Sequence, residues 1–175
     1  MSLSKHYYFW VLLLICGCIV IDRPAGRRVK RFLFHWQSAR QWEQRTATPN
    51  GPESAWLTIP SAGIDTLVLN GFTAQQLNLA PCLEPILNNT LILSHRDTHF
   101  RGLKNINLGD VIRLELRDGT KQTYRISDTL IINASESEKV LRNIRNRNSL
   151  ILFTCYPFST IGPAPSRILI LANPI

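Results

Sequence analysis

Three side chains in this 175-residue chain have the types and the placing that nucleophilic chemistry needs. Cys155 stands in Leu152-Phe153-Thr154-Cys155-Tyr156-Pro157-Phe158, where the apolar run Leu150 to Phe153 delivers a thiol and Pro157 stops any regular element. Sixty residues upstream, His95 stands in Ser94-His95-Arg96-Asp97-Thr98-His99-Phe100, just after the apolar run Leu91 to Leu93. Twelve residues beyond the cysteine, Arg167 opens the run Ile168 to Leu171. A free cysteine with a pKa near 8.5 is mostly protonated at neutral pH. An adjacent imidazole can hold that proton and later return it to a departing amine. A guanidinium at a strand edge can donate to a carbonyl or to the oxyanion that develops from it. A thiol, an imidazole and a guanidinium, each at a strand end, are the parts of a cysteine acyl-transfer site.

Each residue also has a plainer reading. Alone, Cys155 is a buried strand thiol, His95 a structural histidine and Arg167 a surface arginine. His99 is the rival imidazole, but the strand runs directly into His95, and His99 is expected to hydrogen-bond within its loop, with Asp97 as a partner. Arg142, Arg145 and Arg147 read as a solvated basic face. No CxxC pair or His/Cys cluster supports a metal site.

Short β-type runs must position these groups. They are Ala55–Ile59, Ile64–Leu69, Leu91–Leu93, Asp110–Arg117, Gln122–Ile126, Leu130–Ile132, Ser149–Thr154 and Arg167–Leu171, with Asp118-Gly119 as a hairpin turn. Thr73 is placed to cap a short helix over Gln75–Leu79, and Ser135 to cap one reaching Ile144 with Glu138 at its third position. Many short strands and small helices predict a mainly β fold, a closed barrel.

The stretch from roughly Ala55 to Ala172 resembles the sortases, cysteine transpeptidases of bacterial cell surfaces. Trp56-Leu57-Thr58-Ile59-Pro60 followed by Gly63-Ile64-Asp65 is similar to the family's opening strand and turn. His95, Cys155 and Arg167 follow in the family's order and at similar spacing. The wording HRDTHF and TCYPF looks most like the class found in Gram-negative proteobacteria. Two features depart from the pattern: Ser94 stands where glycine is usual, and Leu79–Pro85 is shorter than its counterpart, which often carries a histidine and is expected to border the substrate groove. The resemblance implies an eight-stranded sortase-like barrel over 54–175, with Cys155 as nucleophile, His95 as general acid/base and Arg167 as oxyanion donor. Thr154 is a candidate substrate-binding residue through its backbone or hydroxyl. The implied reaction is cleavage of a C-terminal sorting signal of a secreted protein through a thioester, then transfer to an amine acceptor that the sequence leaves open. No cofactor is implied. A cell-envelope Cys/His peptidase or amidase would use the same residues with water as acceptor. A non-catalytic membrane-anchored binding module is the third class.

The net charge of +8 is unevenly placed. Residues 1–45 carry eight Lys/Arg against two acids, net +6, whereas residues 46–175 carry twelve against ten, net +2. Basicity beside an apolar terminus fits a membrane surface rather than nucleic acid. Tyr7 to Ile21 is a fifteen-residue uncharged apolar run, so residues 1–22 are expected to form an anchor, with Tyr7, Tyr8 and Trp10 at the interface. No small-x-small cleavage site follows it, which favours an uncleaved anchor over a signal peptide; Ile15-Cys16-Gly17-Cys18 also has the look of a lipoprotein signal. Charges after the span would keep the domain in the cytoplasm, while sortase-type chemistry requires the periplasmic side. Residues 23–53 read as a basic amphipathic helix and a linker, with Val29, Phe32, Leu33, Trp36 and Ala39 at helical spacing, lying on the membrane or packing back on the domain. The part from about Thr46 onward is expected to fold alone. Cys16 and Cys18 are apolar fillers. Cys82 is either buried and inert or close enough to Cys155 for a disulfide, which needs Cα atoms within about 7 Å.

Overall fold

A computed structural model describes residues 29–30, 32–34, 36–40, 42, 53–144, 148–160 and 162–175. The expected anchor over 1–22 lies outside the described residues. Among those described, no helix is long and apolar enough to cross a membrane.

Eight strands close a barrel: β1 (Glu53–Ile59), β2 (Ile64–Asn70), β3 (Cys82–Ile86), β4 (Asn89–Leu93), β5 (Val111–Leu116), β6 (Lys121–Asn133), β7 (Leu150–Tyr156) and β8 (Ser166–Pro174). Around the barrel the order is β1-β2-β3-β4-β7-β8-β6-β5. Strand alternation fills the inside. Leu57 and Ile59 of β1, Ile92 of β4, Ile112 and Leu114 of β5, Leu150 and Leu152 of β7, and Ile168 and Ile170 of β8 form one core. The intervening residues of β4, β7 and β8 point outward: Leu91, Ile151, Leu169 and Leu171 pack there beneath the short helix α3 (Ser137–Asn143), with Leu141 seated among them.

Helical residues between 29 and 42, here α1, lie against another outer patch. Trp42 packs on Trp56 with ring centroids 6.1 Å apart, alongside Leu67, Leu69, Ala80 and Cys82. Phe34, Ser38 and Trp42 form the packed side of α1, whereas Val29, Phe32, Leu33 and Trp36, the apolar stripe noted in the sequence, face out.

Three local expectations change. Residues 82–86, absent from the expected strands, form β3. Pro81 and Leu83 accept from Leu69 and Gly71 of the β2 side, so Pro85 is in phase with them and has its missing N–H where β2 has already ended. The two short strands over 122–132 are one long strand, β6, with a register shift between Ile126 and Asp128. Ser135 does not cap α3: a 3-10 turn, Ala134–Glu136, precedes it, and Ser137 donates to the Ala134 carbonyl. The capped helix after Thr73 is present as α2 (Ala74–Leu79), Thr73 Oγ1 accepting from Gln76 N at 3.2 Å.

Candidate active site

The site grows from the pairing of three neighbouring strands. In the antiparallel pair of β7 and β8, Cys155 lies directly opposite Arg167. In the parallel pair of β4 and β7, Leu93 lies beside Phe153, and Ser94 N continues the ladder to Phe153 O at 3.3 Å. Two residues on, that register brings His95 alongside Cys155. Because Phe153, Leu93 and Leu169 pack on the outer face, the period of two sends Cys155, His95 and Arg167 to that same face, one row further along. All three line one cavity of about 440 Å³ with Arg96, Asp97, Thr160, Gly162, Pro163 and Ala164, a size in the range of ligand pockets. Cys155 is a free, half-buried thiol.

Backbone contacts hold these side chains in place. The His95 carbonyl accepts from Phe100 N at 3.2 Å and Thr98 N at 3.4 Å, which winds Asp97–Phe100 into a compact turn. Phe100 is fully buried in the barrel core and anchors that turn. The 3-10 helix that follows, Arg101–Asn105, approaches Pro60–Ala62 so closely that a Cβ on Gly102 would overlap the Ala62 carbonyl oxygen. Only glycine fits there.

Thr154 is 2% exposed, in phase with Leu150 and Leu152 toward the barrel interior. Its hydroxyl donates to Ser94 O at 2.7 Å. The hydroxyl is thus turned away from the cavity and committed to a strand-to-strand bond, so of the two routes expected from the sequence for Thr154 to bind substrate, the hydroxyl does not fit. His99 belongs to the same turn as His95 but does not line the cavity. The segment Leu79–Pro85, expected to border the groove, does not line it either; its Cys82–Pro85 part runs as a barrel strand.

The sequence reading passed over Arg96. This guanidinium is 7% exposed, and Nη2 donates to Thr160 O at 2.6 Å and Gly162 O at 2.7 Å in the loop between β7 and β8. From the far side of that loop, Arg167 Nη1 donates to Ala164 O at 3.0 Å and Ser166 O at 2.9 Å. Two arginines therefore grip one loop, and that loop is a wall of the cavity over Cys155. Arg96 stands in the turn after β4, and its partners lie more than sixty residues away, so no local pattern in the sequence signalled its burial.

Cys82 is fully buried, and burial pushes its thiol up to about 11. It faces Leu93, which faces Phe153. Two strand spacings and a two-residue offset put Cys82 and Cys155 about 12 Å apart, beyond the reach of a disulfide. The inert reading of Cys82 holds, and the disulfide does not.

Fold and site together define a β-barrel with a strand-end cysteine centre, and comparison with known proteins agrees. Residues 57–175 match the model of the sortase domain. A curated relative, Sortase D of Bacillus subtilis (strain 168), is 34% identical over 126 residues, covering 69% of this chain and 63% of that protein. The chain thus spans somewhat less than two thirds of that relative's length. A Clostridium perfringens Sortase D5 transpeptidase superposes with a TM-score of 0.64 at 19% identity, covering 84% of this chain and 99% of its own. Sortase C-1 of Actinomyces oris gives a TM-score of 0.60 at 21% identity, covering 73% and 76%. At those identities the structural likeness is one of fold. The chain belongs to the sortase family. These relatives come from Gram-positive organisms and lend no support to the narrower class found in Gram-negative proteobacteria.

Proposed function

We propose that this chain is a membrane-anchored cysteine transpeptidase that cleaves the C-terminal sorting signal of secreted proteins. The observation that carries the reading is the single cavity lined by Cys155, His95 and Arg167, with Cys155 directly opposite Arg167 across β7 and β8. The Cys155 thiolate attacks the scissile carbonyl carbon while His95 holds the thiol proton. Arg167 donates to the oxyanion of the tetrahedral species; the bonds to its own loop engage Nη1. The C–N bond breaks, His95 protonates the departing amine, and a thioester remains on Cys155. An incoming amine attacks that thioester, gives its proton to His95 and releases the thiolate. Shielding the thioester from water favours transfer over hydrolysis.

The domain faces the periplasm as part of a single-pass inner-membrane protein, with residues 1–22 as anchor, 23–53 as helix and linker, and 54–175 as catalytic barrel. Placement with the class of Gram-negative proteobacteria rests on the wording HRDTHF and TCYPF alone. A reporter fused after Ile175 that is active only in the cytoplasm would overturn the orientation.

The decisive experiment incubates the protein with sorting-signal peptides and follows intact mass. A mass gain equal to the N-terminal peptide fragment, absent in Cys155→Ala and discharged faster by added amine, is the expected result. Discharge at one rate whatever the amine concentration would instead assign a hydrolytic peptidase or amidase. No adduct with any peptide, together with a Cys155 that resists alkylation, would leave a binding module.

A further inference from the structure

Helix α1 is apolar on two opposite faces, and the barrel covers only one. Phe34, Ser38 and Trp42 recur every four residues and seat the helix against Trp56, Leu67 and Leu69. Half a turn away, Val29, Phe32, Leu33 and Trp36 are 54%, 70%, 48% and 48% exposed. These four recur at i, i+3, i+4 and i+7, so they form one stripe. Arg40 extends the stripe by a turn, its Cζ 3.9 Å from the centroid of the Trp36 ring. Four large apolar residues in a row, with a guanidinium stacked at one end, form a surface made for something other than water.

We propose that this stripe rests on an anionic lipid surface, so that α1 lies in the membrane interface with the barrel fixed to its other side. Charge and position on the chain select this occupant. Lys30 and Arg40 flank the stripe on exposed positions, and residues 1–45 carry a net +6. Seven residues separate Val29 from the apolar run Tyr7 to Ile21, and Arg23, Arg27 and Arg28 lie among them. Aromatic rings below a row of basic side chains are the composition of an interfacial helix. A second copy of the chain would bring the same basic face against itself, and a nucleic acid would satisfy the charges while leaving Phe32 and Leu33 wet. Because Trp42 and Ser38 are packed on the barrel, a helix lying flat on lipid sets the height and tilt of the whole domain.

The test uses the full chain in nanodiscs, with tryptophan emission read against lipids brominated high on their acyl chains. Trp10 is replaced in both proteins compared, Trp10→Phe and Trp10→Phe/Trp36→Phe, so their difference isolates Trp36. The expected result is that the Trp36 component is blue-shifted, loses most of its emission to brominated lipid, and loses more as the anionic lipid fraction rises. A red-shifted Trp36 component indifferent to bromine would overturn the proposal. So would protection of Trp36 that tracks protein concentration and cross-linked dimer, since a second copy would then be the occupant. Phe32→Ser/Leu33→Ser provides the second check: its Trp36 component should lose the blue shift and the bromine quenching, and retention of both would equally end the idea.

Discussion

Thr154 and Ser94, the residues directly before Cys155 and His95, are joined inside the barrel by a 2.7 Å hydrogen bond from the threonine hydroxyl to the serine carbonyl. The interval between Cys155 and His95 is therefore tied to a buried bond in the core as well as to the strand ladder. Thr154→Val keeps the shape and removes the donor, leaving a buried carbonyl without its partner at a cost of about 1–3 kcal/mol. Chemical denaturation should register that loss, acylation should slow with it, and Thr154→Ser should restore much of both. A Thr154→Val protein of unchanged stability and rate would show that the bond does not set the spacing.

Roles within the outer row are separable. Cys155→Ala should abolish the acyl-enzyme, and His95→Ala should be nearly as severe because the thiol loses its proton partner. Arg167→Ala should slow the reaction roughly 10²–10³-fold, the scale of losing an oxyanion donor. His99→Ala should retain substantial activity, since His99 does not line the cavity. An active His95→Ala beside an inactive His99→Ala would reverse the assignment of the base.

Arg96 offers a different signature. Its Nη2 bridges two carbonyls, Thr160 and Gly162, a geometry that a lysine point charge reproduces poorly. Arg96→Lys should loosen the cavity wall and raise KM for peptide far more than it alters the rate at which a small alkylating agent labels Cys155. Equal losses in both measurements would point to a general folding defect instead.

The two cysteines of the barrel should differ chemically. At pH 7–8, iodoacetamide should label Cys155 and spare Cys82, whose burial holds its thiol up to about 11. Ionising Cys82 is harder in the folded than in the unfolded chain, so stability is unaffected below the ordinary value of 9.0 and declines as pH rises from there toward about 11. Non-reducing digestion of oxidised protein should yield no peptide linking Cys82 to Cys155.

Trp42 should matter beyond its position outside the barrel. It is almost fully buried against Trp56 and Leu67, and Trp42→Ala is expected to cost about 3–5 kcal/mol. A protein truncated at Thr46 would expose the same patch, and its thermal midpoint should fall below that of the full chain. Equal midpoints would mean that α1 contributes nothing to the barrel.

Much of the site was legible because its three groups flank apolar runs, His95 and Cys155 just after one and Arg167 just before one, and the edge of an apolar run marks a strand end. The barrel followed from the number and shortness of those runs. β3 was not legible: Pro81 and Pro85 read as loop, and only the absence of β2 beyond Leu83 makes a proline tolerable in that strand. The packed side of α1 was left open in the sequence because Val29, Phe32, Leu33 and Trp36 outweigh Phe34, Ser38 and Trp42 in apolar bulk, and periodicity alone cannot say which apolar stripe meets the core. Arg96 was overlooked because arginine in a turn next to a histidine looks solvated; its burial depends on two carbonyls more than sixty residues away.

The parallel pairing of β4 with β7 also has a consequence in time. The two strands are joined by the whole of β5, β6 and α3, and β8, which closes the ring between β7 and β6, ends at Pro174. Synthesis delivers the N-terminal residues first, and contacts of long sequence separation form slowly. His95 therefore leaves the ribosome well before Cys155, and Arg167 after both. Until β8 docks beside β7, Cys155 has no Arg167 opposite it and the cavity that the three side chains share has not formed.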